Sequence, residues 1–331
     1  MGWTLFGHVA CFALVAHINS SRHWWRVINY LRFGIIDFAP AGSCERIEKR
    51  GLTIVMSAVT QFLLGIVLGV IMAVGGYWKR ALSQSGALAA AFVGTIVFGV
   101  GGWAWGVLLV AFFVASSALS FYNPRRKAEV AAEKFDKGSR RDWAQVIANG
   151  GWATLLALMM WQRPTPWLFV AFVGTMATVT ADTWATELGT LSRTPPRLIT
   201  TGREVPPGTN GAVSALGTMA ALVGGLFIGT LAYLLAQWGA ISPLTLNPLW
   251  LPSIAAVSGL AGAFTDSLLG ATVQHIYHCP RCDSETERTM HHCGTATHPL
   301  RGWRWMDNDM VNFLSSVVGS LVAACLAVLL A

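Results

Sequence analysis

Residues 166–188 read PWLFVAFVGTMATVTADTWATEL, an apolar run with no Lys or Arg that nevertheless contains Asp182 and Glu187. About 20 apolar residues suffice for a helix to cross a bilayer, so the run reads as a membrane span with two acids near its end. A second apolar stretch, 249–275, carries a third acid in Thr265-Asp266-Ser267-Leu268-Leu269-Gly270. A carboxylate in hydrocarbon costs about 2.5–3.5 kcal/mol on insertion scales, and such groups face a bundle interior, a water-filled cavity or a bound cation. These two stretches set both the fold class and the place to look for function.

The remainder of the chain agrees. Of its 331 residues, 54% are hydrophobic and only 12% charged, against about 25% charged in soluble domains. Apolar runs give eight candidate spans, at 53–76, 84–101, 103–120, 143–161, 166–188, 211–238, 249–275 and 309–330. The expected fold is therefore an all-α, polytopic integral membrane bundle with about eight transmembrane helices. Residues 51–331 read as one membrane catalytic domain that includes a 277–307 Cys/His loop, and 1–50 as an N-terminal extension of unassigned role. Trp3–Ile18 is apolar but no Lys or Arg precedes it, so it does not fit a secretory signal peptide and is short for a span. Gly65 with Gly69, and Gly225 with Gly229, have the spacing that lets helices pack closely.

Lys and Arg sort by loop. The loops after spans 1, 3, 5 and 7 hold sixteen of them, and the opposite face holds Arg163 alone. The positive-inside rule puts the basic loops in the cytoplasm, which implies the inner (plasma) membrane. Six further basic residues from Arg22 to Arg50 break the pattern. Arg125–Asp142 reads as a charged helix on the membrane surface. Basic residues strung along one membrane face, with few interleaved aromatics, suit anionic lipid or phosphate ligands and not nucleic acid.

The embedded polar residues gather toward that same face. Asp182 and Glu187 end span 5, Asp266 and Ser267 lie late in span 7, Gln145 and Asn149 open span 4, and Asn308, Asp309 and Asn312 open span 8. Converging carboxylates and amides make a hard, oxygen-rich site suited to Mg²⁺, which keeps several waters and bridges to substrate phosphates. Asp182, Glu187 and Asp266 are the candidate ligands. Structurally hydrogen-bonded acids, or a cation relay, remain open on these residues alone.

The loop after span 5 supplies the complement to that site. In Pro196-Arg197-Leu198-Ile199-Thr200-Thr201-Gly202-Arg203, the two arginines can fork onto phosphate oxygens. Thr200, Thr201 and Gly202 offer hydroxyls and close backbone approach. Gly208-Thr209-Asn210-Gly211 is expected to open span 6, whose N-terminal N–H groups would favour an anion. The alternative is an ordinary capped turn. There is no Walker A string, so a nucleotide site here would not be a P-loop.

The loop after span 7 contains Cys279-Pro280-Arg281-Cys282, then Cys293, with His291 and His292 just before it and His298 after. Cys-x2-Cys with a third Cys and a nearby His is a zinc signature. The expected site is Cys279, Cys282, Cys293 and His292, with His275 and His278 as alternatives. Four protein ligands would make the zinc structural.

These strings, together with Asn123-Pro124-Arg125-Arg126-Lys127, Gln145 to Gly150 and Asn308 to Asn312, resemble in order the integral membrane family that includes the phytyl-phosphate kinase of the plant vitamin E pathway. The likeness covers about residues 80–320. It implies phosphoryl transfer from a nucleoside triphosphate, CTP, to an isoprenoid monophosphate of phytyl or geranylgeranyl type. It further implies Mg²⁺ on Asp182, Glu187 and Asp266, with Lys127, Arg197 and Arg203 on the phosphates and Arg203 stabilising the transferring group. A membrane cytidylyltransferase making a CDP-lipid is the nearest alternative enzyme, and a cation-coupled transporter the main non-enzymatic one. Oligomeric state is not readable from the chain.

Overall fold

The computed structural model describes residues 43–122, 134, 140–239, 241 and 244–331, with side chains from Ala58 onward. The chain divides into two compact units, residues 1–61 and 62–331. Of the first, the described part is the start of helix α1 (Ser43–Trp78). The expectations for Trp3–Ile18, for Lys127 and for most of Arg125–Asp142 fall outside the described residues.

The second unit is built on α-helices. After α1 come α2 (Gln84–Ile96), a π turn (Val97–Gly101) and α3 (Trp103–Ser120). Next are α4 (Trp143–Gln162), α5 (Pro166–Gly189), α6 (Ala215–Gln237), α7 (Leu251–Thr272) and α8 (Asn308–Leu329). The break between α2 and α3 falls where the glycines allow it: Gly102 has φ 99°, a backbone that L side chains rarely adopt. Asp142 opens α4 in a capping box with Gln145, Pro166 starts α5, and Ser214 and Asp307 cap α6 and α8.

Seven of these helices are long and apolar enough to cross a membrane. The eighth, α4, is 20 residues long but its first two turns carry Gln145 and Asn149, polar positions that line the site. Span 6 also starts later than the sequence suggested. Gly211 has φ 80° and Ala212–Val213 form strand β2, which pairs with β1 (Arg197–Leu198), so the helix begins only after Ser214. Three further strands occupy the Cys/His loop in the order β4-β3-β5: β3 (Ile276–Cys279), β4 (Ser284–Thr286) and β5 (His298–Arg301).

Helix α5 is the axis, and every residue from Leu168 to Ala181 is buried. Its neighbours reach it through small residues. Gly224 of α6 lies on Ala181, Gly259 of α7 on Ala177, and Gly319 of α8 on Thr178. Gly225 and Gly229 press on Ala255 and Pro252 of α7, and Gly65 and Gly69 on the α2 backbone around Thr95. This is backbone-to-backbone packing in place of hydrophobic exclusion, as lipid-solvated helices require.

Candidate active site

The tight packing relaxes at one end. Where α3, α5 and α7 finish and α4, α6 and α8 begin, a cavity of about 630 Å³ opens, within the usual size for a small-molecule site. Asp182, Thr186 and Glu187 of α5, Asp266 and Ser267 of α7, Asn149 of α4, and Asn308, Asp309 and Asn312 of α8 all line it, as expected from the sequence. Thr209, Asn210 and Gly211 close one side and the Cys/His loop, with Tyr277, Glu287 and Thr289, roofs it.

The carboxylates divide into two groups. Asp266 faces the charges of both Asp182 and Glu287, and its bonding partner is Ser315. Its Oδ2 is buried with no hydrogen-bond partner. Glu187 instead accepts from Ser120 Oγ at the end of α3 and faces the Arg141 guanidinium. The three acids thus share one cavity but do not form one ligand cluster. Among the described residues, the sole group of three or more His, Cys, Asp or Glu whose ligand atoms lie within 4.8 Å of one another is in the Cys/His loop. The α5 helix explains the split: Asp182 and Glu187 are five residues apart, so the second acid is turned toward α3 while the first points at α7. An orphaned carboxylate oxygen beside a second acid fits a divalent cation at Asp182 and Asp266, with Glu187 outside the group.

Arg141 is held firmly. Its backbone N–H donates to Ala81 O (3.0 Å), its carbonyl accepts from Ser83 N (2.9 Å), and Nη1 donates to Ser117 Oγ (2.9 Å). Burial lowers its pKa from the ordinary value, partly countered by Glu187, and a guanidinium stays charged regardless. Arg304 reaches the cavity because Trp303 N bonds Val273 O (3.0 Å) and His275 N bonds Met306 O (2.8 Å), folding the loop's end back over α7. Glu287 enters from the roof. Its Oε1 accepts from Asn210 Nδ2 and Gln274 Nε2, both at 2.9 Å.

The arginines expected on the phosphates sit elsewhere. Pairing of β1 with β2 makes the loop after α5 a hairpin whose tip, Thr200, Thr201, Gly202 and Arg203, is exposed and outside the cavity wall. Arg197 is engaged within the hairpin: Nη2 meets Glu204 Oε1 at 2.6 Å and Nη1 donates to Gly202 O at 3.0 Å. The Gly208–Gly211 turn lines the cavity as a turn before β2; the helix N-terminus at the cavity belongs to Ser214 and Gly217, whose N–H is already capped by Ser214 Oγ (3.1 Å). In the sequence Arg141 and Arg304 look like topogenic loop charges, and nothing in the local pattern marks Glu287, Gln274 or Ser120. A usable signal existed for Arg141, which immediately precedes the capping box that starts a polar-faced helix.

In the roof, Cys279, Cys282, Cys293 and His291 come together. His292, the expected histidine, is exposed. The turn closed by His291 N to Thr295 O (3.0 Å) buries His291 to 2% exposure and leaves His292 on the outside, its ring packed on that of His291 with centroids 4.2 Å apart. Hydrogen bonding with Thr295 and then with His291 draws the Cys293 thiol down to about 5, while contact with Cys293 pushes the Cys282 thiol up to about 11. His275 and His278 stay outside the group, the latter on Asp283 Oδ1 at 2.9 Å.

Similarity to known proteins covers the whole site. Residues 67–320 match the family described as integral membrane protein DUF92. The chain is 32% identical over 285 residues to Protein PGR of Arabidopsis thaliana, covering 81% of this chain and 96% of that protein. It is 29% identical over 301 residues to Protein VTE6, chloroplastic, of the same plant, covering 86% and 78%. It is 30% identical over 216 residues to an uncharacterised membrane protein of Methanocaldococcus jannaschii, covering 65% and 84%. No solved structure matches.

Proposed function

The chain belongs to the DUF92 family of integral membrane proteins, and we propose that it is a phosphotransferase carrying the terminal phosphoryl group of a nucleoside triphosphate, CTP, to an isoprenoid monophosphate of phytyl or geranylgeranyl type. The observation that carries this reading is the cavity itself. It sits at the basic-loop end of the bundle and holds six carboxylates (Asp182, Glu187, Asp266, Glu287, Asp307 and Asp309) beside Arg141 and Arg304. The resemblance to the phytyl-phosphate kinase family points to the same chemistry.

A monoester phosphate is largely dianionic near neutral pH, its second pKa being about 6, so one of its oxygens can attack the γ-phosphorus without a general base. The bond from that phosphorus to the β,γ-bridging oxygen breaks, the nucleoside diphosphate leaves, and the isoprenoid diphosphate remains. Positioning and electrostatics then dominate catalysis. Asp182 and Asp266 would hold Mg²⁺, which supplies charge neutralisation between the phosphates. Arg141, fixed by Ser117 and by the loop before α2, and Arg304 at the mouth would orient phosphate oxygens. Asn149, Asn308, Asn312, Thr209 and Ser267 line the wall as neutral donors, and Lys127 is a further candidate by resemblance.

The lipid tail has a place. Thr218 and Ala221 of α6 and Leu260 and Phe264 of α7 line the cavity, and Phe264 is 40% exposed. Farther down, α6 and α7 close at Gly225 and Gly229. A phosphate at the cytoplasmic interface of the inner membrane would leave its chain in that cleft. Transport through the bundle is disfavoured, since α5 beneath the cavity is sealed by Phe169, Phe172, Val173 and Met176, all 1% exposed or less.

The test is incubation of purified protein with CTP, radiolabelled at either the α or the γ phosphate, and geranylgeranyl or phytyl phosphate. γ-Label in a lipid diphosphate is expected. α-Label in the lipid would mean a cytidylyltransferase, and no transfer of either would overturn the proposal.

A further inference from the structure

The roof of the cavity carries a cluster that the phosphoryl-transfer chemistry does not use. We infer that Cys279, Cys282, His291 and Cys293 bind one zinc ion in a closed tetrahedral site, which fixes the loop that brings Glu287 and Arg304 to the cavity.

The spacing of the ligand atoms carries the inference. Zinc–sulfur bonds of about 2.3 Å at a tetrahedral centre place two sulfurs roughly 3.8 Å apart, and a sulfur and an imidazole nitrogen roughly 3.5 Å apart. Cys279 Sγ lies 3.7 Å from Cys293 Sγ, and His291 Nδ1 lies 3.3 Å from Cys293 Sγ. All four ligand atoms fall within 4.8 Å of one another. A disulfide needs sulfurs about 2.05 Å apart, and all three cysteines are free.

The backbone is shaped for the same purpose. The residue after each distal cysteine takes positive φ, Asp283 at 50° and Gly294 at 77°. The chain therefore doubles back at Cys282 and again at Cys293, aiming both sulfurs inward. His291 offers Nδ1 to the centre while its Nε2 lies 3.5 Å from Ser284 Oγ, the kind of outer contact that orients a metal-bound imidazole. Three thiolates and one imidazole suit zinc, and four protein ligands leave no open position for chemistry.

The ion's influence travels along β4. Cys279 pairs with Ser284 in the sheet, and three residues beyond Ser284 stands Glu287, whose carboxylate is bonded to Asn210 and Gln274 at the cavity wall. Without a metal, the loop would keep its three-stranded sheet and its bonds to the cavity wall but lose the tie across Cys279, Cys282, His291 and Cys293.

The experiment measures metal directly on the full-length protein in detergent, by elemental mass spectrometry. About one zinc per chain is expected. His291→Ala and Cys282→Ser are expected to lose it, and His292→Ala to keep it. Because the ligand variants can misfold locally, the wild type is also loaded with Co²⁺, for which intense tetrahedral thiolate bands in the visible spectrum are expected. Zinc-free wild type with a featureless cobalt spectrum would overturn the inference, as would equal zinc loss in His291→Ala and His292→Ala. An iron–sulfur spectrum in place of zinc would overturn it as well. None of these readouts needs turnover, so kinase failure with zinc present counts against the proposed function alone, and turnover in zinc-free protein counts against the zinc site alone.

Discussion

Asp266→Asn separates a metal-holding carboxylate from a structural one. Oδ2 of Asp266 is buried with no partner, and the side chain faces the charges of Asp182 and Glu287. A stranded buried polar atom costs about 1–3 kcal/mol. Asparagine keeps the shape, and its NH₂ can donate to a neighbouring carboxylate, turning repulsion into a hydrogen bond. In divalent-free buffer without chelator, Asp266→Asn is therefore expected to match or exceed wild type in stability by about 1–3 kcal/mol. At about 2–4 °C per kcal/mol, that is a rise in Tm of several degrees. Adding Mg²⁺ reverses the order: a ligand at a hundredfold its Kd stabilises by about 2.7 kcal/mol, and only wild type has the site to gain it. The assay is thermal unfolding in detergent, followed by intrinsic Trp fluorescence across an Mg²⁺ titration, with turnover measured in parallel. Turnover in the variant is expected to fall by about 10²–10³ or more. Two results would refute the reasoning: a wild type indifferent to Mg²⁺, or a variant destabilised by more than about 2 kcal/mol without divalent ions. The second would make Asp266 a structural partner of Ser315.

Arg304→Ala is expected to lower kcat/KM by about 10²–10³, while Arg203→Ala at the hairpin tip and Arg163→Ala on the far face stay within about threefold, in the labelled-CTP assay; a larger loss from Arg203→Ala would return the phosphate contact to the hairpin. Glu287→Ala strips the shared acceptor from Asn210 and from Gln274, which is 2% exposed, and is expected to loosen the roof by about 3 kcal/mol, seen as faster hydrogen exchange across residues 276–307. Glu287→Gln keeps a carbonyl acceptor and is expected to preserve that protection, so any turnover lost in it reports on the charge. Phe264→Ala is expected to alter KM for the lipid phosphate more than kcat; equal KM values for both proteins would move the tail out of the α6–α7 cleft.

The fold was legible because its determinants are local. Apolar length, glycine spacing and basic loops are one-dimensional signals, and apolar length placed α2 to α8 to within a few residues, whereas α1 begins at Ser43, ten residues before the expected span. Polar residues inside spans were legible for the same reason: a buried Asp is expensive wherever it sits, so Asp182, Asp266 and Asn312 stand out against their surroundings. Loops hold no such gradient. Arg197 and Arg203 have the right chemistry for phosphate, but pairing of two short strands turned them outward, and no periodicity in a two-residue strand announces that. Arg141 and Arg304 reach the cavity through backbone hydrogen bonds to Ala81, Ser83 and Val273, partners tens of residues away. The choice of His291 over His292 rests on a single turn, which decides which of two adjacent rings faces the cysteines. Glu187 shows the limit inside a helix: its depth was right, but its rotation about α5 gave it to Ser120 and Arg141.

That rotation bears on how an acid-rich cavity could handle phosphates at all. A site with six carboxylates and two arginines repels a nucleoside triphosphate unless cations come with it. If all three embedded acids pointed at one centre, the cavity would carry a concentrated charge that no protein group offsets. Bonding Glu187 to Ser120 and setting it in the field of Arg141 removes one acid from that centre, leaving Asp182 and Asp266 as the pair proposed to hold a divalent ion. Arg141 is meanwhile held on the wall by Ser117 Oγ and by its backbone bonds to Ala81 and Ser83, with Glu187 as its counter-charge. The Glu187→Gln variant examines this division. It would strip Arg141 of its counter-charge at the wall, so that the guanidinium's field reaches the proposed metal pair, and its Mg²⁺-dependent stabilisation is expected to weaken although Glu187 lies outside that pair. An unchanged Mg²⁺ titration in Glu187→Gln, with turnover intact, would mean that Glu187 plays no part in shielding the metal pair from Arg141.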